Sequence, residues 1–381
     1  MTIPTRHLTR LPTRADGPPV TPVATAIASA AKPAPELAAD AVTEALGRTG
    51  ATIARSVLLF LTTDFLRLAR DSVLAASRAA RCLQVSGCTG PGVFTEADWV
   101  LDRPAACAMV FAGDVALGAA DPTSGPTLSL ALPQNATGDW IESGARRFGL
   151  VSSDGAGHNP GRIWGHGQVL AEGRFEAAFR GARGAIAVSR GIRILSEPLE
   201  VTVAHAYDVE RVAGHPALNT LLRVLPLELR EMEKLPHHLL FAGIIVGEAE
   251  GAIEQGRYIL VSIIAGNSDD RSLTLAARLE SGSHIFWCMR QALAAERDTR
   301  VALDAAVAEL GATPDFALLF SCLGRGPYFF GGAERDLELA RERLPGVPII
   351  GTYGGGEIAP LAVGNRLIHN SAVIAAFKSD V

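Results

Sequence analysis

Phe316-Ala317-Leu318-Leu319-Phe320-Ser321-Cys322, a helical stretch over 334–344, Val347-Pro348-Ile349-Ile350, and the turn Gly351-Thr352-Tyr353-Gly354-Gly355-Gly356-Glu357-Ile358 together decide the fold. The first seven residues form one apolar run and read as a buried strand. Leu337, Ala340, Arg341 and Leu344 fall on one face of a helix, and a second short strand ends in glycine. Upstream the same grammar returns. Ser56–Thr62 (SVLLFLT) is a strand, and Leu66, Ala69, Val73, Ala76 and Ala80 form a helical stripe that Asp64 can cap. A strand at 83–86 then enters Gly87-Cys88-Thr89-Gly90-Pro91-Gly92. Leu58-Leu59-Phe60 matches Leu318-Leu319-Phe320, which suggests a duplicated unit.

Between these segments, strand-like runs at 106–112, 127–132, 184–188, 200–205, 239–246 and 257–264 are joined by turns, which favours antiparallel pairing. The expected fold class is α+β: two pseudo-similar halves, each a mixed, mainly antiparallel sheet with flanking helices. A helix at about 299–310 should stop at Gly311. Residues 1–45, rich in Pro, Ala and Thr, read as a disordered tail without the apolar core of a secretory signal. The domain expectation is 1–45 tail, 46–225 first domain and 226–381 second domain, with Pro226 and a charged run marking the boundary.

The chain has 381 residues, 48% of them hydrophobic and 20% charged, enough for a large aliphatic core. Thirty-five Lys+Arg against 40 Asp+Glu give a net charge of −5, with no cationic excess for nucleic acid or an anionic lipid surface. No apolar run approaches the roughly 18–20 residues of a membrane span. The five cysteines form no C-x-x-C pair and fit a reducing, cytoplasmic location.

Several stretches carry a family resemblance. They are Leu319-Phe320-Ser321-Cys322-Leu323-Gly324-Arg325-Gly326, Leu344-Pro345-Gly346-Val347-Pro348, the glycine turn continued to Ala359-Pro360, and Leu367-Ile368-His369-Asn370. Together they resemble the C-terminal FIST (F-box and intracellular signal transduction) domain. The segment leading to Ser86-Gly87-Cys88-Thr89 resembles the N-terminal FIST domain, and Ser189-Arg190-Gly191-Ile192-Arg193 with Val201-Thr202 resembles the passage between them, so the likeness covers about residues 50–378. It implies a bacterial sensory protein that binds a small ligand such as an amino acid. It also brings in haem-based sensing of nitric oxide, described for some relatives. With no kinase, cyclase, methyl-accepting or F-box segment in the sequence, the signal is expected to pass to a separate protein.

Read as chemistry, the sharpest pair is Arg325 and Glu357, each just beyond the end of a strand. Arg could grip a ligand carboxylate and Glu an ammonium, the alternative being a structural salt bridge. On that reading Arg325→Ala abolishes ligand-induced stabilisation and leaves the fold intact. Tyr353 and the Gly354-Gly355-Gly356 turn border the same place, and three successive glycine amides could cradle an anion or simply make a tight turn. Cys88 and Cys322 sit at corresponding ends of the two units, as reactive thiolates or inert packing. No cofactor is expected first; haem is the alternative, with His205, His215, His284 or His369 as axial ligand. His158 and His166 in a glycine-rich loop match no established metal spacing, and His237-His238 read as a surface pair. Asp269-Asp270 read as loop carboxylates. No catalytic motif is present, although an enzyme acting on a small acid or amine remains a further alternative.

Overall fold

A computed structural model of the chain describes residues 22–121, 125–154, 161–232 and 234–380. Three copies of one topology follow each other along the chain, the last interrupted by an inserted unit. Unit I runs β1 (Val23–Ser29), α1 (Pro35–Thr49), β2 (Ser56–Thr62), α2 (Ala69–Ala80), β3 (Val85–Gly90), a hairpin of β4 (Val93–Thr95) and β5 (Trp99–Val100), and β6 (Ala105–Phe111). Unit II repeats the order with a minimal helix: β7 (Ala116–Ala119), β8 (Thr127–Ala131), α3 (Gly138–Glu142), β9 (Arg147–Val151), the hairpin β10 (Ile163–Gly165) and β11 (Gln168–Val169), and β12 (Arg174–Arg180).

Unit III opens with β13 (Ala182–Ser189) and then leaves for the insert. The insert holds β14 (Ile192–Ile194), β15 (Leu199–His205), β16 (Asp208–Val212), β17 (His215–Pro216), α4 (Ala217–Val224), α5 (Leu227–Arg230), β18 (Leu240–Ile245), β19 (Tyr258–Gly266), β20 (Leu273–Leu275) and β21 (His284–Arg290). Unit III resumes with α6 (Ala292–Leu310), β22 (Phe316–Cys322), α7 (Arg335–Arg343), β23 (Ile349–Gly354), the hairpin β24 (Glu357–Leu361) and β25 (Gly364–Ile368), and β26 (Ala372–Ser379).

The strand orders β1-β6-β2-β3, β7-β12-β8-β9 and β13-β26-β22-β23 are the same sheet three times. In each, the last two strands are parallel and the others antiparallel. Every unit lends its hairpin to a different unit. β4 pairs with β23, β10 with β3, and β24 with β9, so the three exchanges close a ring.

The inner faces of the sheets share one core. Phe111, Phe179 and Phe377 hold the equivalent place in β6, β12 and β26, with centroids 5.4 Å apart for Phe111–Phe179 and 4.4 Å for Phe179–Phe377. Phe316 stacks on Phe377 at 5.0 Å. Helices α1 and α2 cover the outer face of sheet I, and α6 and α7 that of sheet III. The insert has its own apolar core, with Trp287, Leu240 and Leu273 fully buried.

One glycine recurs in each unit. Gly87, Gly149 and Gly351 stand at the same register of β3, β9 and β23, where an added Cβ would lie 1.8, 2.0 and 2.1 Å from the carbonyl oxygens of Leu59, Ser129 and Leu319. Only glycine allows this approach. Gly87 and Gly149 also adopt φ of +152° and +147°.

Mixed, mainly antiparallel sheets with flanking helices are therefore present, and the two strand–helix–strand segments are structurally equivalent; a third copy lies between them. Four sequence expectations change. Residues 23–45 are not a tail: β1 and most of α1 occupy them, because Leu37, Ala38, Ala41, Val42 and Ala45 form a buried stripe. The boundary at 225/226 falls inside the insert, whose sheet joins β14–β17 to β18–β21 across it. Gly87–Gly90 and Gly351–Gly354 continue strands rather than forming turns. α6 begins seven residues before the expected 299 and ends at Gly311, whose φ is +67°. His158 lies outside the described residues. Among them, no helix is long and apolar enough to cross a membrane.

Candidate functional site

Arg325 follows β22 in a single tight turn and points inward at 1% exposure. Its Nε donates to Asp336 Oδ2 at 2.8 Å, and its Nη2 to Ser189 Oγ and Thr299 Oγ1, both at 2.7 Å. Asp336 is itself fully buried. Gly191, at φ +65°, makes room for this guanidinium, since a Cβ there would lie 2.3 Å from Nη1. Arg325 thus makes a buried structural salt bridge, but with Asp336 and not with Glu357. Binding a ligand carboxylate would require it to release Asp336.

Glu357 opens β24 and is also fully buried. Oε2 accepts a 2.6 Å hydrogen bond from Ser371, while Oε1 has no partner. Burial pushes its carboxyl well above the usual range, against the lowering pull of Ser371 and the Arg325 charge. Glu334 precedes α7 and shares this behaviour: burial, then the Asp336 charge, raise it, and neither carboxylate oxygen closes a hydrogen bond. The Tyr353 hydroxyl faces Glu334 without completing a bond of good geometry, and burial with that acid raises the phenol as well.

These acids define a pH response. A carboxyl whose folded pKa lies above its unfolded value near 4.5 binds its proton more tightly in the native state. Its contribution is most favourable below about pH 4.5 and declines as pH rises toward the folded value. Glu334→Gln is expected to raise the urea midpoint at pH 7.5, and the gain should shrink as the pH falls to 4.5. A gain independent of pH would assign the effect to packing.

The glycine turn is no free anion cradle. Gly355 N–H donates to Val151 O at 3.0 Å, and Gly356 O accepts from Val151 N at 2.8 Å. Glycine is needed there for close packing: a Cβ on Gly355 would lie 2.5 Å from Ser153 Oγ and one on Gly356 2.8 Å from His369 Cε1. Neither Cys88 nor Cys322 sits where a thiolate is favoured. Burial raises Cys88 far above a thiol's ordinary value, and burial with the nearby Glu357 charge pushes Cys322 up to about 12.

A cavity of about 70 Å³ lies beside this buried network, between the insert and the β24–β25 hairpin. Phe241, Tyr258, Leu260, Leu361 and Ile368 wall it, and Ser371 brings the Glu357 pair to its edge. Arg190 lies 4.0 Å over the Tyr258 ring and donates to the carbonyls of Tyr258 and Gly256 at 3.3 and 3.1 Å. Among the described residues, no acidic side chain pairs with it. Its backbone is held by Asp298, which accepts from Arg190 N at 2.6 Å, Gly191 N at 2.9 Å and Ser189 Oγ at 3.0 Å. Arg366 also lines the cavity but is paired with Glu142 at 3.4 Å. His369 Nδ1 donates to Gly355 O at 3.0 Å, and among the described residues Nε2 has no hydrogen bond.

Sequence reasoning missed Arg190, Tyr258 and Ser371. Arg190 belongs to a quoted stretch, but no local pattern tells that a residue 68 positions from Tyr258 will stack on it. His205 and His215 are exposed and His284 is half-buried. His166 is exposed at the turn of the β10–β11 hairpin, its Nδ1 2.8 Å from Gln84 Oε1. His237 and His238 begin a short turn, and Asp269 and Asp270 are exposed loop residues. Among the described residues no group of three or more His, Cys, Asp or Glu side chains is arranged to hold a metal.

Residues 217–360 match the FIST C domain family. That segment supplies Phe241, Tyr258, Arg325, Tyr353 and Glu357, whereas Arg190, His369 and Ser371 flank it. An uncharacterised protein of Mycobacterium bovis is 30% identical over 250 residues, covering 66% of this chain. One of Mycobacterium tuberculosis is 29% identical over 272 residues, covering 70% of this chain and 68% of the relative. The chain spans 62% of the length of the first of these relatives. The stretch 217–360 of the chain thus carries a FIST C domain.

Proposed function

We propose that this protein is a small-ligand sensor that holds an amino acid or related small carboxylate in the cavity beside Arg190, and passes its bound state to a separate protein. The observation that carries this reading is the Arg190 guanidinium, stacked on Tyr258 at an apolar cavity with no acidic partner among the described residues. A planar cation in that setting is suited to gripping a carboxylate with two parallel hydrogen bonds. The Ser371 hydroxyl gives its proton to Glu357, so its lone pairs are left to receive an ammonium. Phe241, Leu260 and Ile368 would cover an apolar side chain. Arg325 then acts behind the site, holding β13, α6 and α7 in place, and the N-terminal units correspond to the FIST N part.

The test is a thermal-shift screen of amino acids and small carboxylates on the wild type and Arg190→Ala. A ligand at 100 times its Kd should stabilise the wild type by about 2.7 kcal/mol. The variant should melt as the unliganded wild type does and fail to respond. An equal response in both proteins would overturn the assignment.

His369 favours a second reading. Its ring lines the apolar cavity, its Nδ1 is fixed on a backbone carbonyl and, among the described residues, its Nε2 has no hydrogen bond, the arrangement that prepares an imidazole for a metal. His369 would ligate a haem iron there, with Arg190 and Arg366 beside its propionates. Haem would supply a gas-binding iron. A stoichiometric Soret band lost in His369→Ala would establish this; a colourless protein from haem-supplemented cells would reject it.

A further inference from the structure

The crossover that places Arg190 in the cavity continues directly into a second feature. Ile192 and Arg193 follow it and, with Leu293, Ala294, Arg297 and Val301, line an open groove between β14 and α6. Leu293, Arg297 and Val301 stand at i, i+4 and i+8, so they share one helix face. Leu293 is 61% and Val301 65% exposed, and neighbouring Ile194 is 43% exposed. The opposite face of α6, with Ala295, Thr299, Ala302, Leu303 and Ala306, is buried in the molecule.

Charge sets the occupant. Arg193 and Arg297 are exposed and, among the described residues, neither side chain makes an ion pair or hydrogen bond. Asp298, the acid of the groove lining, is engaged by Ser189 and two backbone amides. The α6 N-terminus adds the positive end of a 19-residue helix. A locally cationic, apolar groove on a chain of net charge −5 favours an anionic partner. A second copy docking α6 on α6 would bring Arg297 toward Arg297. The basic N-terminal residues Arg6, Arg10 and Arg14 are equally mismatched in charge.

We propose that this groove seats an acidic amphipathic helix of a separate protein, its apolar residues on Leu293, Val301 and Ile194 and its carboxylates on Arg193 and Arg297. Leu293 to Val301 spans two helical turns, about 12 Å, matching three apolar anchors of an incoming helix. β14, three residues long, offers too short an edge to hold an added strand. This deepens the sensor reading by naming its output face and rests on that reading for its role. The contacts themselves do not depend on it. Asp298 ties the two sites, because it clamps Ser189, Arg190 and Gly191, which run directly into Ile192.

The probe is a fluorescein-labelled 18-residue helix of leucine and glutamate, with a twin carrying lysine for glutamate, titrated into the full chain without small ligand. The glutamate helix should bind the wild type, and Arg193→Glu/Arg297→Glu should weaken it at least tenfold while the melting temperature holds. The double variant should instead accept the lysine twin. Binding unaffected by the double variant, no binding of the glutamate helix, or self-association of the chain abolished by Val301→Asp would each overturn the proposal, the last assigning the groove to a second copy. Since no small ligand is present, the titration decides the groove independently of the Arg190 screen.

Discussion

Gly351→Ala is expected to yield no folded protein. A Cβ at this position would lie 2.1 Å from the Leu319 carbonyl oxygen and equally close to the Phe94 ring, and the carbonyl belongs to the parallel strand it must pair with. Neither group can withdraw without breaking the β22–β23 ladder or lifting the borrowed β4 strand off the sheet. Gly87→Ala and Gly149→Ala meet the same obstacle and add an unfavourable φ. Each should cost more than about 4 kcal/mol, beyond the ordinary range for single substitutions. Gly47→Ala serves as the opposite case, because nothing lies within 4 Å of its added Cβ in α1. It should raise stability by about 0.5–1 kcal/mol. Urea unfolding and soluble yield measure both. Folded Gly351→Ala protein of near wild-type stability would refute the threefold role of this glycine.

Arg325→Ala should destabilise the protein by about 3–5 kcal/mol, because it leaves Asp336 as a buried charge without its partner. This reverses the sequence-based expectation that the fold would survive the change. Arg325→Lys should recover only part of the loss, since an ammonium cannot serve Asp336, Ser189 and Thr299 together in the planar arrangement seen here. Arg325→Met with Asp336→Leu should cost far less than the two single changes summed, as both charges leave together. Denaturant midpoints of the five variants decide it. A stable Arg325→Ala that merely lost ligand binding would restore Arg325 to the ligand site.

Much of the fold was legible locally. SVLLFLT and FALLFSC form strands over the residues expected, because uninterrupted apolar runs are buried on both faces. The third unit escaped detection since its β8 sequence, TLSLA, lacks the shared Leu-Leu-Phe and its short α3 gives no helical stripe. β1 and α1 were hidden by a proline-rich, alanine-rich composition that resembles a tail, although alanines packed at helical spacing bury well. The site was legible only in its separate residues. Arg325 and Glu357 do enter one buried region, as their mutual electrostatic influence shows, but the partner each one takes comes from elsewhere: Asp336 lies 11 residues away and Ser371 14. Arg190 meets Tyr258 only because the insert folds back on β13, which no short-range pattern records.

The closed ring of exchanged hairpins bears on how the polypeptide reaches its native state. Sheet II is complete only when β24, more than 170 residues further along, joins β9, and the β4–β5 hairpin must wait for β23 before it joins a larger sheet. A ribosome releasing the chain from its N-terminus would therefore expose two unfilled sheet edges until the final strands emerge. Unpaired edges of this kind invite aggregation, and such sequence-distant pairing slows the search for the native topology. The same interdependence makes the three units rise and fall together: none has a complete sheet alone, so melting should proceed through one concerted loss of all three rather than unit by unit.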